Sequence, residues 1–195
     1  MFDKNGKMTP VTLISVGPCY VLQKKNKEPS SAKASAGMKD GYDAIQIGYK
    51  KITKMSKLRK SWKNRPYKFV KEYRGIDKNL NVGDEINASI FQEGEIVKVS
   101  GKSKGKGFQG GVKRHGFHGK LSATHGNKHE HRKIGSTGTR FPQHVRKGRK
   151  MPGRMGFENT TVKNLKIMKV DKDNNLLVIK GAVPGTTRTV LEIKG

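Results

Sequence analysis

Apolar and polar positions follow two regimes along the chain. Across residues 1–100 and 157–195, short apolar runs recur between turn-forming residues, which is the signature of β-strands. The runs predict strands at residues 10–16, 42–48, 85–91, 95–100, 161–170 and 176–180. Alternation is clearest at Ile86, Ala88 and Ile90, whose neighbours Asn87 and Ser89 are polar. Two hairpins are expected, one turning at Gln92, Glu93 and Gly94 and one at residues 171–175, DKDNN. Several short strands at close spacing predict a mainly β fold, a small antiparallel barrel or sandwich, rather than a parallel α/β sheet.

Two further segments sit inside this β pattern. Residues 29–37, PSSAKASAG, are small, polar and turn-prone and read as a loop. Residues 50–74 mix Lys and Arg with Trp62, Tyr67, Phe69 and Tyr73 around Pro66, and read as a small irregular or helical insert. The aromatic side chains there either pack onto the barrel or stack on bases, and packing is the favoured expectation.

Between the two β regions the pattern changes. Residues 98–156 show no sustained alternation and no 3.6-residue period, so the stretch has no means of burying a core of its own. It holds all six histidines, and more than half of the 24 glycines. The expected organisation is a globular β domain from residues 1–100 and 157–195, with 50–74 as a basic and aromatic insert and 101–156 as an inserted extension. Ordinary connections are about 4–6 residues long. An extension of this length must be ordered by something outside the domain.

Charge identifies what that something is. The 195 residues carry 42 Lys+Arg against 15 Asp+Glu, a formal net charge of +27. Residues 98–156 contain 16 of these cations and a single acid, Glu130. Such self-repulsion is relieved when a phosphate polyanion neutralises it, so nucleic acid is the expected partner. No apolar run approaches the ~18–20 residues needed to cross a bilayer, and MFDKNGKMTP has no apolar signal-peptide core. The expectation is a soluble intracellular protein with no membrane partner. Cys19 is the only cysteine, which excludes a disulfide framework and a Cys-rich zinc finger.

In GKSKGKGFQGG, residues 101–111, Lys102, Lys104 and Lys106 alternate with glycines, which let backbone N–H groups and ammonium groups approach phosphate together. Gly105, Gly107 and Gly110 satisfy G-x-G-x-x-G, with Glu130 twenty residues on. A dinucleotide site also needs a long helix and a second parallel strand, and the glycines at 111, 116 and 119 oppose that helix. A P-loop fails on spacing, because position 96 is Ile. His125, His129 and His131 have a spacing that could surround zinc, yet the neighbouring cations and the lack of Cys or Asp argue against a metal. An imidazole stacked on a base or bonded to a 2′-hydroxyl suits RNA better. A Ser/His/Asp arrangement lacks an orienting acid, so no enzyme, no cofactor and no small-molecule substrate is expected. Residues 140–156, RFPQHVRKGRKMPGRMG, place Arg146, Lys147, Arg149, Lys150 and Arg154 among glycine and proline without helical period. An irregular basic arm suits folded RNA rather than the DNA major groove.

These residues also carry a resemblance. VSGKSKGKGFQGGVKRHGF (99–117), ATHG (123–126), GSTG (135–138), VRKGRKMPGRMG (145–156) and NLLVIKGAVPG (175–185) resemble the bacterial-type large-subunit ribosomal protein L-three family. PVTLISV (10–16) and DGYDAIQIG (40–48) match more weakly. The resemblance implies a six-stranded-type barrel like that of translation-factor domains, with a long irregular Gly/Lys/Arg-rich extension. It implies a structural protein of the ribosome, cytoplasmic or that of an organelle, that binds large-subunit rRNA early in assembly beside neighbouring ribosomal proteins. The extension would reach toward the peptidyl transferase centre. Its expected rRNA contacts are Lys102, Lys104, Lys106, Lys113, Arg114, His115, Lys120, His125, Lys128, Arg132, Lys133, Arg140, Phe141, His144, Arg146, Lys147, Arg149, Lys150 and Arg154. The tip would lie at about residues 135–151.

Two departures from the family pattern shape the expectation. Relatives begin with a strand carrying G-x-K-x-G-M-T, and this chain starts at Met1 and Phe2, after it, so the barrel is one strand short or translation starts upstream. TRFP (139–142) replaces the segment that carries a methylated glutamine in some relatives, so that modification is not expected. The rival readings are a nucleic-acid chaperone binding any polyanion by charge, and an enzyme acting on RNA.

Overall fold

The computed structural model describes residues 1–2, 6–25, 42–54, 58, 60–62, 65–75, 80–122 and 124–195. The loop expected at 29–37 lies outside the described residues. The chain divides into two compact units: Met1–Val97 with Asn164–Ala182 and Gly195, and Lys98–Lys163 with Val183–Lys194. The fold is mainly antiparallel β, the class the sequence predicts.

In the first unit, β1 (Val11–Ser15) pairs with β10 (Leu176–Lys180), which pairs with the long β9 (Asn159–Asp171). The β9–β10 hairpin forms at the expected turn, with Leu176 opposite Asp171. Asp171 organises it, its carboxylate accepting from the backbone N–H groups of Asp173 and Asn174 at 3.2 Å. Those bonds, with the Asn174 side-chain amide first among them, hold the Asp171 carboxyl below its ordinary range. A second sheet has the order β4-β3-β2-β5, from β2 (Cys19–Lys25), β3 (Ala44–Lys51), β4 (Tyr67–Arg74) and β5 (Glu85–Ile86). The core of this unit comprises Val21, Ala44, Ile45, Ala88, Val97, Leu165, Ile167, Leu177, Val178 and Ile179. Leu177, Val178 and Ile179 are buried in succession, which matches the unbroken apolar run LLVIK.

Three expectations change. Residues 85–91 do not form one strand: β5 ends at Ile86 and a 3₁₀ turn occupies Ala88–Ile90. The Ala88 N–H donates to Asn175 Oδ1 at 3.3 Å, and the turn buries Ala88 while leaving Ile90 56% exposed. The apparent alternation therefore reflected a short turn. The hairpin at Gln92, Glu93 and Gly94 is absent for the same reason. Gly94 N–H donates to the Ile167 carbonyl and Ile167 N–H to the Glu95 carbonyl, both at 2.9 Å, so this turn docks on β9. Residues 50–74 contain β4 and a 3₁₀ turn at Lys60–Trp62 rather than an irregular or helical insert. YKFVKEYR carries aromatic and β-branched residues, and β4 pairs along β3 from Ala44↔Arg74 to Lys51↔Tyr67. Residues 55–57, 59 and 63–64 of that segment lie outside the described residues.

In the second unit, the ladder runs β9-β6-β11, where β6 is Ile96–Lys102 and β11 is Leu191–Lys194. β11 and β6 pair antiparallel from Leu191↔Gly101 to Lys194↔Lys98. Ser100 Oγ and Thr161 Oγ1 approach to 2.8 Å beside this ladder. Past β6 come β7 (Gly107–Gln109), α1 (Gly111–His115) and β8 (Gly153–Met155). Among the described residues, no helix is long and apolar enough to cross a membrane.

Candidate nucleic-acid interface

Residues 101–156 begin and end in a narrow ribbon. β7 and β8 pair antiparallel, with Gly107 opposite Met155, Phe108 opposite Arg154 and Gln109 opposite Gly153. Below that ladder the two chains stay tied, Lys106 N–H donating to the Met155 carbonyl and Ser103 N–H to the Glu158 carbonyl, both at 2.9 Å. Gly156 has φ +75, and a Cβ there would strike the Lys104 carbonyl. The close approach of the two strands thus requires glycine at this position.

Beyond the ribbon, cationic side chains divide into two groups by what they touch. Arg114 Nη1 donates to the Met151 carbonyl at 2.7 Å, and His115 Nε2 lies 3.1 Å from the same oxygen. The His115 ring also meets Phe117 edge-on at 6.1 Å between ring centres. Both residues are half-buried and turned inward, where they hold the returning chain against α1. Lys120 pairs with Glu130 at 2.6 Å, and Lys133 lies 3.9 Å from the same carboxylate. The hydrogen bond and charge of Lys120, then the charge of Lys133, hold the Glu130 carboxyl below its ordinary range. The single acid of the stretch is therefore already committed.

The second group faces solvent. Lys102, Lys104, Lys106, Lys113, Lys128, Arg132 and Arg154 are exposed, as is His125, which sits in the left-handed region at φ 55. Every residue from 135 to 150 is exposed, including Arg140, Phe141, His144, Arg146, Lys147, Arg149 and Lys150. One of them also ties this segment together, since Arg149 Nη2 donates to the Ser136 carbonyl at 2.6 Å. Thr137, Gly138, Thr139, Pro142, His144, Arg146 and Arg149 line a shallow hollow there. Among the described residues between Lys102 and Gly156, only Gly111 is buried, so the stretch has no apolar core.

The G-x-G-x-x-G spacing falls on an antiparallel ribbon and runs into a five-residue helix, not into the strand, long helix and parallel strand of a dinucleotide site. Among the described residues, no three His, Cys, Asp or Glu side chains are grouped as metal ligands, and no histidine hydrogen-bonds a carboxylate. Two aromatic residues outside the predicted set stand beside the cations. Phe108 is 76% exposed, and Phe157, 51% exposed, has Lys102 Nζ and Arg154 Cζ at 4.6 and 5.2 Å from its ring centre. The only sequence signal for them was an apolar ring set among lysines and glycines.

Comparison with known proteins adds to this picture. Residues 75–195 match the family model described as ribosomal protein L3. Across its whole length the chain is 46% identical to the large ribosomal subunit protein uL3 of Carboxydothermus hydrogenoformans, covering 90% of that protein. It is 45% identical to the same-named protein of Syntrophomonas wolfei, over 100% of this chain and 89% of that one. With the uL3 of Oceanobacillus iheyensis it shares 44% identity over 99% of this chain and 90% of the relative.

Proposed function

The chain belongs to the ribosomal protein L3 family, and from that premise we propose that it is a structural constituent of the large ribosomal subunit that binds large-subunit rRNA directly. Residues 101–156 form the rRNA-penetrating extension, and the β regions on either side anchor it. The protein joins the subunit early in assembly, and the tip at about residues 135–151 reaches toward the peptidyl transferase centre beside neighbouring large-subunit proteins.

The observation that carries this reading is the combination of charge and exposure. Sixteen cations face one acid across residues 98–156, and Lys120 and Lys133 already occupy that acid. The remaining cations have no protein counter-charge within the stretch, and rRNA phosphates supply it while releasing condensed counterions. That release offsets the entropy lost when an arm without an apolar core is ordered. The chain performs no chemistry in this role.

The test compares the full chain with a variant carrying Arg146→Gln, Lys147→Gln, Arg149→Gln and Lys150→Gln. Binding to transcribed large-subunit rRNA is measured across salt concentration, with random duplex DNA at matched salt as control. The wild type prefers rRNA. In the variant the slope of log affinity against log salt falls by roughly 3, at about 0.7–0.9 per lost phosphate contact. Equal affinity for the duplex, as a charge-only chaperone would show, or an unchanged slope, overturns the reading.

A further inference from the structure

The β7–β8 ribbon presents a second kind of chemistry, in which an aromatic ring and a cation share one face. Residues directly opposite in an antiparallel pair point to the same face. Phe108 and Arg154 are such a pair, and both are exposed while Gln109 and Met155 turn to the other side. Arg154 in turn lies 5.2 Å from the Phe157 ring centre, and Lys102 Nζ lies 4.6 Å from it. Phe157 thus gathers an ammonium and a guanidinium group, and the guanidinium belongs to Arg154, the cross-strand neighbour of Phe108.

Phe157 is held there at a conformational cost. It has φ 57, a region that residues with a Cβ rarely adopt. It follows Gly156, whose close approach to the Lys104 carbonyl fixes the turn. The Phe108 ring, by contrast, has no ring or cation partner among the described residues and is 76% exposed. Lys104 and Lys106 add exposed positive charge on the same short segment.

We propose that Phe108 is a stacking platform for an unpaired nucleobase, with Arg154 and Lys102, positioned by Phe157, taking the adjoining phosphate. This rests on the reading that the extension binds rRNA, and it names the RNA element met at the extension's base. A duplex hides its base faces in the stack, so a lone ring gains nothing from it, whereas a bulged or single-stranded nucleotide offers an open face. The cations fit the phosphate that accompanies such a base and do not fit an apolar protein surface.

The test uses the full chain as wild type, Phe108→Leu and Phe108→Tyr. Each is titrated with a short single-stranded oligoadenylate carrying 2-aminopurine and with a mixed-sequence RNA duplex. Leucine keeps apolar bulk and removes the π face, and the exposed position leaves folding intact, which circular dichroism verifies. Phe108→Leu is expected to weaken single-strand binding by about five- to a hundredfold. It abolishes the stacking quench of 2-aminopurine, leaves duplex affinity unchanged, and Phe108→Tyr retains both properties. Phe108→Leu weakening both probes equally, or neither, overturns the platform. If the wild type binds rRNA with its salt dependence while Phe108 proves irrelevant, only the platform fails. If the wild type binds no RNA, the broader reading fails with it.

Discussion

Replacing Gly156 by alanine tests whether the ribbon at the extension's base is a built structure. Two costs combine at this site. An L-residue at φ +75 pays about 1–2 kcal/mol for the left-handed conformation. The added Cβ also meets the Lys104 carbonyl, a backbone atom that cannot rotate away, so the two strands must separate. Separation strains the bonds from Lys106 N–H to Met155 O and from Ser103 N–H to Glu158 O, each contributing about 0.5–1.5 kcal/mol. Together these come to about 3 kcal/mol of local opening, or roughly a hundredfold in exchange rate at the Ser103 and Lys106 amides. Gly148→Ala is the internal control. Gly148 has φ +81 with no heavy atom near its would-be Cβ, so it carries the conformational cost alone. Amide hydrogen exchange on the full chain should show accelerated Ser103 and Lys106 in Gly156→Ala and unchanged values in Gly148→Ala. Equal behaviour of the two variants at those amides would refute the steric argument.

Other outcomes follow from the core and from the committed acid. Ile167 is fully buried in β9, so Ile167→Ala should lower the unfolding free energy by about 2–5 kcal/mol in chemical denaturation and Ile167→Val by about 0.5–1.5; similar small losses for both would show that the site is loosely packed. The Glu130 carboxyl is depressed by Lys120 and Lys133, so the latch it makes is fully present above the ordinary Glu value of about 4.3 and is lost as pH falls through the lower folded value. Amide protection at Glu130 and Lys133 should therefore titrate with a midpoint below about 4.3, and Glu130→Gln should abolish that midpoint.

What the sequence disclosed depends on where each element finds its hydrogen-bond partners. β10 was legible because LLVIK is buried in one run and follows a turn whose own side chain, Asp171, closes it. β2 and β11 carry no such signal. In CYVLQKK only Val21 is fully buried, and its polar end imitates a loop. LEIK is four residues long and exists as a strand only because β6, about ninety positions earlier, pairs with it. Ile86, Ala88 and Ile90 show the opposite error, since a period of two across three residues is also compatible with a turn, and the Asn175 side chain favoured the turn.

The interface follows the same division. Its net charge is a sum over composition and needs no tertiary information, so the cationic stretch stood out at once. The role of each cation does need it. Arg114 reads like any other basic residue until Met151, 37 positions away, brings a carbonyl to its guanidinium. Lys120 is likewise claimed by Glu130. Some of the positive charge of residues 101–156 therefore gives a stretch without an apolar core a defined course, and the rest has no partner within it. Only the cations without a partner in the stretch, Arg146, Lys147 and Lys150 among them, should contribute fully to the salt dependence of RNA binding. Neutralising Arg114 should instead loosen the return of the chain past α1, weakening binding through geometry and leaving the salt slope nearly untouched.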